Sequence, residues 1–513
     1  MSGRHHGGGS SQRDPNTTPI ASRSSADTLA GMATAPLPRT SYAPRLGVLG
    51  AVVRRAFGES AVGIQVVLGT ALVLAAAERR SVLSAPNHGA FTSWFAGPLE
   101  GLLPSLTGNA TVLHRDLRIA IAAMVGAWLV VVLAGRTVRP PLVIGAVVVL
   151  HAVFLLCPPL ALTDLFNYIG YARLDVVHHL NPYVDLPLLR PADPVYAYSN
   201  WHQLRSPYGP LFTLLMLPIA KLPLPAAYWT YKVVATAASL GLLAAVWACA
   251  RRLGRAPAQA VAFVGLNPIV LVYALGGKHN DLIMMAALMA GGLLILARRE
   301  VLGGVTLAAA IAVKASAGLL APLLVLAAPR RWRAVAGAAA GAIVLVDVSL
   351  LAFGPHLPDL AEQNRLVSSL SFPNLIGYAI GPGGADASIR SLMTILMIAG
   401  AALCAAVAWR TRRWETPAGW AALVAVVCTS WLMPWYVLWA LPFAAISRSR
   451  VLRGAAVLMT VWVTFIASGL GTIVAHQRGI YPNHTAVGRA NHQFELNLLR
   501  NPRTPRPASA RAR

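Results

Sequence analysis

Apolar runs of about 18–22 residues recur from position 60 to position 474. At 1.5 Å per helical residue, a run of that length crosses a bilayer core about 30 Å thick. The runs fall at 60–77, 118–134, 141–159, 225–250, 257–275, 282–297, 301–314, 316–328, 334–354, 388–409, 417–432, 436–447 and 454–474. The pattern predicts an all-α, polytopic integral membrane protein with about 13 transmembrane helices in one continuous domain over 58–475. Residues 1–57 carry Gly, Ser, Pro, Thr and Arg with no apolar period and read as a disordered tail. No small-residue cleavage site follows the first run, so it reads as a retained anchor rather than a signal peptide. The stretch 476–513 is polar and basic, ends in NPRTPRPASARAR, and reads as a second mobile tail.

Composition agrees with this pattern: 56% of the 513 residues are hydrophobic and 12% charged, about half the charged fraction of a soluble domain. The net charge of +25 rests on arginine, since Lys221, Lys232, Lys278 and Lys314 are the only lysines. No basic soluble module is present for nucleic acid, so anionic membrane lipid is the simpler counter-charge. Cys157, Cys249, Cys404 and Cys428 all fall inside apolar runs and read as core residues, not as disulfides or metal ligands. The arginines mark alternate short loops: Arg136 and Arg139; Arg251, Arg252 and Arg255; Arg298 and Arg299; Arg330, Arg331 and Arg333; Arg410, Arg412 and Arg413; Arg448, Arg450 and Arg453. The positive-inside bias assigns these to the cytoplasm, with the N-terminus inside and the C-terminus outside. The loop carrying Arg79, Arg80, Arg115 and Arg118 runs against the other six. Residues 160–224 and 355–387 then become large outer loops. The inner loops are too short for a nucleotide site, and no GxxxxGK[ST] or GxGxxG with the right context occurs.

Chemistry gathers on the outer side. After the third run comes LTDLFNYIGYARLDVVHHLNPY, followed by WHQLRSPYGPL. Asp164, Asn167, Tyr168 and Tyr171 are spaced i, i+3, i+4, i+7, one helical face with Arg173 beside it. Aromatic rings with polar groups suit a sugar; the alternative is a capping Asp with interfacial tyrosines. Asn181-Pro182-Tyr183 and Ser206-Pro207-Tyr208-Gly209-Pro210 are rigid turns, with Trp201, His202 and Arg205 just upstream of the second. Gly276-Gly277-Lys278-His279-Asn280-Asp281 precedes a helix start, where two donors and the helix dipole favour an anion. Its alternative is a capped hairpin using Asn280 or Asp281. Lys314 lies about 20 Å into the membrane from the inner face. The segment 301–328 is too short for two full spans, so it reads as two short or broken helices lining a cavity, where a lysine is a functional candidate. Snorkelling to the surface is the other reading. Asp347 is a further intramembrane charge without an assigned role. Pro434 within Trp431-Leu432-Met433-Pro434-Trp435-Tyr436 reads as the turn of an outer hairpin with belt aromatics.

The motifs TDLFNYIGYAR, LNPY, SPYGPL, Leu266-Asn267-Pro268, Lys278-His279-Asn280-Asp281, Ala312-Val313-Lys314 and MPWYVLWALP from Met433 occur in this order across about 60–475. Together they resemble the GT-C superfamily of polytopic glycosyltransferases. They look most like the polyprenyl-phosphomannose-dependent α-(1→6)-mannopyranosyltransferases of lipomannan and lipoarabinomannan synthesis. The resemblance implies an outer-face site, a lipid-linked sugar donor, a lipoglycan or oligomannoside acceptor, and a catalytic carboxylate that maps to Asp164. It further implies substrate binding by Asn167, Tyr168, Tyr171, Arg173, His202, Arg205, Tyr208, Asn280 and Asp281, and donor-phosphate binding by Lys278, His279 and Lys314. An acceptor 6-hydroxyl would attack the β-mannosyl phosphate with inversion, Asp164 acting as general base. A carboxylate in a partly desolvated position is expected to have a raised pKa. No metal or other cofactor is called for. Arabinofuranosyl transfer from a polyprenyl phosphate is the related alternative. A lipid-sugar transporter or flippase is the alternative of another class, disfavoured because no internal repeat is found and the polar residues crowd one side.

Overall fold

The computed structural model describes residues 42–77, 92–102, 110–160 and 163–499. The helical bundle with its polar site lies within Ala51–Arg513. Among the described residues every regular element is helical and no strand occurs. The chain runs through α1 (Tyr42–Ala76), α2 (Ser93–Ala96), α3 (Ala110–Ala134) and α4 (Pro140–Leu156) into α5 (Asp164–Val176) and α6 (Pro210–Ala220). Next come α7 (Leu224–Arg252), α8 (Pro257–Gly265), α9 (Asp281–Leu296), α10 (Glu300–Val313), α11 (Ala321–Ala327) and α12 (Arg331–Phe353). Then follow α13 (Phe372–Ile380), α14 (Ala387–Thr411), α15 (Glu415–Cys428), α16 (Leu441–Ile446), α17 (Arg450–Ala467), α18 (Leu470–Gln477) and α19 (Ala486–Leu499). A π-helical turn, Val270–Leu275, lies between α8 and α9.

The apolar runs coincide largely with helix, several of them broken, as 257–275 is at Asn267 and 454–474 at Ser468–Gly469. Six helices among the described residues are long and apolar enough to cross a membrane: Gly50–Ala76, Arg115–Thr137, Leu224–Arg252, Arg331–Phe353, Ala387–Thr411 and Arg450–Ala467. Their outer surfaces stay apolar. Ile343, Val344 and Leu351 on α12, and Ile395 and Leu403 on α14, point away from the protein interior. A chain in water would bury such continuous surface; a chain in lipid has no reason to.

Small residues set the tightest contact. A Cβ on Gly304 would stand 2.0 Å from the Ala334 carbonyl oxygen, and one on Gly337 would stand 2.0 Å from that of Val301. The backbones of α10 and α12 therefore touch, the close approach that small residues permit between membrane helices. Helix α10 stops at Val313 and Lys314 is extended, with φ −154° and ψ 126°. A short 3₁₀ turn, Ala315–Leu319, leads into α11. This is the broken pair that the length of 301–328 predicts.

Two tail assignments are corrected. Helix α1 begins at Tyr42, so 42–57 is helical rather than unstructured; residues 1–41 lie outside the described residues. The segment after 476 also folds as far as Leu499. Helix α19 is held because Leu498 packs with Leu204 and Leu366, while Gln203 N–H donates to the Leu498 carbonyl at 3.1 Å. Composition alone hid these few apolar anchors. The region 160–224 likewise contains an apolar helix, α6, that its proline-rich surroundings obscured.

The arginine clusters and the carboxylate motifs occupy opposite ends of the same helices. Helix α4 starts beside Arg139 and ends just before Leu160 and Asp164, about 25 Å away at 1.5 Å per residue. Helix α9 runs from Asp281 to the Arg298–Arg299 turn, and α10 returns from there to Lys314.

Candidate active site

Helix α5 opens at Asp164, with Thr163 as its N-cap, and presents its carboxylate to the turn that begins α9. Asp164 Oδ2 lies 3.2 Å from His279 Nδ1, and the Asn167 amide donates to Oδ1 at 3.3 Å. The His279 ring is buried and stacked on Trp435, with centroids 3.4 Å apart. Its Nδ1 makes the short contact without the alignment of a hydrogen bond. Next along the chain, the Asn280 N–H donates to the Tyr168 hydroxyl at 3.3 Å. Asp281 is fully buried. It accepts from Lys314 Nζ at 2.6 Å and from Trp439 Nε1 at 2.7 Å. Lys314 also reaches Asn280 Oδ1 at 3.4 Å and sits 5.5 Å from the Tyr436 ring centre. The Lys-His-Asn-Asp turn, the start of α5, the break after α10 and the aromatic 3₁₀ turn Pro434–Trp439 therefore meet at one place.

Burial pushes the Asp164 carboxyl pKa up, but the contact and charge of His279, the charge of Lys314 and the Asn167 amide outweigh it. The net direction is below the usual carboxylate value, opposite to the upward shift expected from desolvation alone. The sequence could not show that His279 and Lys314, 115 and 150 residues further on, would both face this carboxylate.

Several expected ligand residues have structural partners instead. Asn167 Oδ1 accepts the backbone N–H groups of Asn200 and Trp201 at 3.1 and 3.3 Å, tying α5 to the following loop. The Tyr171 hydroxyl donates to the Leu204 carbonyl at 2.9 Å. Arg173 donates from Nε to Asp193, where His178 also contacts the carboxylate. His202 stacks on Tyr196 and contacts the Tyr196 carbonyl and the Ser199 hydroxyl. Arg205 donates to the Val184 carbonyl at 2.8 Å. Tyr208 is buried edge-on against Tyr168, 4.8 Å between centroids. Lys278 departs furthest from expectation. It is fully buried in a left-handed conformation (φ 56°), and its ammonium donates to the Phe154 carbonyl at 2.8 Å. It fastens the turn to the end of α4 and faces no ligand space.

Sequence reasoning missed Trp435, Tyr436, Trp439 and Tyr231. The aromatic pattern assigns Trp435 and Tyr436 to a membrane belt and gives Trp439 no role, yet all three are nearly completely buried, with Trp435 stacked on His279 and Trp439 donating to Asp281. The signal was a proline interrupting an aromatic run inside the membrane, a break that is tolerated where it lines a cavity. Buried polar atoms at the same place lack protein partners: Asn280 Nδ2, Tyr231 Oη and Trp435 Nε1. Native interiors rarely leave such atoms unpaired, so they mark where a polar ligand can bind. Among the described residues no three His, Cys, Asp or Glu side chains gather as a metal-binding group.

An apolar groove of about 780 Å³ is lined by Gly209, Ala312 and Ala315, the last two flanking Val313-Lys314 in the chain, and by Val335, Ala338, Ala342 and Leu345 of α12. Gly209 is required there for space: a Cβ would lie 2.1 Å from the Ala312 carbonyl oxygen.

The helices and this buried cluster of carboxylates, lysine and aromatics define a membrane protein with a polar site at one end of an apolar bundle. Comparison with known proteins gives that class its chemistry. The family described as alpha-(1->6)-mannopyranosyltransferase, N-terminal domain, matches residues 67–330, and the MptB C-terminal domain matches residues 372–488. The chain belongs to the alpha-(1->6)-mannopyranosyltransferase family and is a glycosyltransferase. It is 29% identical over 382 residues to alpha-(1->6)-mannopyranosyltransferase A of Mycobacterium tuberculosis, covering 67% of this chain and 73% of that one. It is 22% identical over 327 residues to the protein of the same name from Corynebacterium glutamicum, covering 54% and 65% respectively. No solved structure matches significantly.

Proposed function

We propose that this protein transfers mannose from a polyprenyl-phosphate donor to an α-1,6-mannan lipoglycan at the outer membrane face, with inversion. The observation that carries this reading is the cluster of Asp164, His279, Asp281 and Lys314, with an apolar groove whose wall includes Ala312 and Ala315, close to Lys314 in the chain. A lipid-linked phosphate sugar needs that sequence of surfaces: an apolar channel for the chain, a cation for the phosphate, then a carboxylate at the sugar. The full proposal has about 13 spans, a cytoplasmic N-terminus, one membrane domain over 58–475 and the site outside. In it, Asp164 accepts the proton of the acceptor hydroxyl as that oxygen attacks the anomeric carbon. The sugar–phosphate bond breaks and the phosphate leaves as an anion beside Lys314, with Asp281 and Trp439 holding the ammonium in place. His279 orients the Asp164 carboxylate, itself fixed by Trp435. No step in this scheme uses a metal.

The test is purified enzyme with polyprenyl-phosphomannose and an α-1,6-oligomannoside, the product linkage being read by mass spectrometry and NMR. The wild type is expected to extend the acceptor by α-linked mannose. Asp164→Asn keeps the side chain's size but removes its basicity, so transfer should fall about 10²–10⁴-fold with donor binding retained. Transfer from polyprenyl-phosphoarabinose alone would replace the donor assignment. Near wild-type transfer by Asp164→Asn would remove the base assignment.

A further inference from the structure

A cavity of about 870 Å³ lies at the arginine-rich end of the bundle, away from the site. Five arginines line it: Arg136 from the turn after α3, Arg255 before α8, and Arg448, Arg450 and Arg453 around the start of α17. These residues are far apart in sequence, so folding has brought three separate loops to one rim. The cavity wall contains no Asp or Glu. The guanidiniums of Arg136, Arg448, Arg450 and Arg453 make no hydrogen bond or ion pair among the described residues. Arg255 is held in place by donating from Nε to the Ile446 carbonyl at 3.1 Å. Burial lowers the Arg255 pKa first, followed by repulsion from Arg448, Arg453 and Arg413, and only Glu415 opposes them. Five arginines at one rim, with Glu415 the one acid acting on Arg255 among the described residues, call for an anion. Beneath the rim the wall turns apolar, with Val132, Val143, Trp247, Ala262 and Phe263 from the membrane helices.

We propose that this cavity binds the head group of an anionic phospholipid from the leaflet facing the arginine-rich loops. The arginine rim pairs with the phosphate oxygens, for which the planar guanidinium is well shaped. The apolar wall below receives the first part of the acyl chains, which a soluble anion does not need. A basic pocket between membrane helices on this side is the expected form of such a site. The cavity is separate from the transferase site: α4 begins in its wall at Pro140 and ends about 25 Å away, just before Asp164.

The test uses the full chain in nanodiscs of neutral phosphatidylcholine, titrated with cardiolipin or phosphatidylglycerol, with retained lipid counted by native mass spectrometry. Thermal unfolding is followed in parallel. Anionic lipid is expected to stay bound and raise the melting temperature, and Arg136→Gln with Arg450→Gln and Arg453→Gln is expected to weaken retention at least tenfold. These three side chains are solvent-facing and unpaired, so the variant should still fold, as its melting temperature in neutral lipid will report. If it does not fold, the single variants Arg136→Gln and Arg450→Gln carry the test, each with a several-fold loss expected. Arg330→Gln with Arg410→Gln changes two arginines at the same end but outside the cavity, and should leave retention unchanged. Equal weakening by that control would show diffuse surface attraction and overturn the site. Retention of phosphatidylcholine as strong as that of anionic lipid would also overturn it. So would an equal melting shift from inorganic phosphate or pyrophosphate at concentrations matching the lipid, because the apolar wall would then contribute nothing.

Discussion

Lys314 is an ion-pair partner of Asp281 in the structure and, in the proposed scheme, the cation for the donor phosphate, and the two roles make different predictions. Asp281 is wholly buried, and among the described residues its carboxylate has only Lys314 and Trp439 for partners. Removing one member of a buried pair leaves an uncompensated charge and costs about 3–5 kcal/mol. Lys314→Ala should therefore lower thermal stability and lose about ten- to a hundredfold in donor kcat/KM, the equivalent of a charge-assisted contact of about 1.5–3 kcal/mol. Adding Asp281→Asn should restore the melting temperature without restoring donor use. Recovery of both would make Lys314 a counter-ion only. At Asp164 the prediction concerns pH. Its pKa is lowered on folding, so the carboxylate's stabilising contacts are present above its ordinary value, near pH 3.8, and are lost as pH falls through the lower folded value. Asp164 is then ionised throughout pH 5–8 and contributes no acid limb there. A pH–rate profile with a limb near pH 6 that shifts in Asp164→Glu would contradict this.

At the scale of elements, the site depends on a proline-rich strap pressed against a helix break. Gly209 N–H donates to the Val313 carbonyl at 3.2 Å, directly before Lys314. Gly209→Ala would drive a methyl group into backbone that cannot rotate away, an overpacking cost of about 1–3 kcal/mol. We expect a folded, inserted protein with a lowered melting temperature and at least tenfold less transfer. Gly145→Ala on α4, where a Cβ meets nothing within 4 Å, should change neither. Unaltered transfer in Gly209→Ala would mean that the strap does not position Lys314. The long apolar helices were legible in the sequence because each follows from a local apolar run, and the break at Lys314 followed from counting residues. Partners were not legible. Asn167 and Tyr171 share a helical face with Asp164, yet Asn167 also holds the Asn200–Trp201 backbone and Tyr171 the Leu204 carbonyl, since periodicity reports which face a residue occupies and not what lies opposite. Trp435 looked like a belt residue and Trp439 went unassigned for the same reason: their contacts, with His279 and Asp281 respectively, join segments far apart in the chain. α19 escaped notice because two or three apolar side chains suffice to dock a helix whose composition is otherwise polar.

At the scale of the molecule, the two ends of the bundle carry opposite chemistry, and orientation decides which side of the membrane each one serves. The arginine loops converge structurally as well as in sequence pattern. The Thr416 hydroxyl meets that of Ser447 at 2.6 Å, Arg412 donates to the Ala328 carbonyl at 3.1 Å, and Arg255 to that of Ile446. The dissenting Arg118 lies at the other end, donating to the Ser468 carbonyl just past α17. Positive charge is retained on the cytoplasmic side during insertion, so the converging set should decide the orientation and Arg118 should not. In a background without the four native cysteines, we expect Arg190→Cys to react with an impermeant maleimide in whole cells. Arg251→Cys should react only after the membrane is permeabilised. Both positions are solvent-facing, so accessibility and not burial determines the readout. Labelling of Arg251→Cys but not Arg190→Cys in intact cells would turn the molecule over. The carboxylate site would then face the cytosol, where nucleotide-sugars are available, and topology would no longer require a lipid-linked donor.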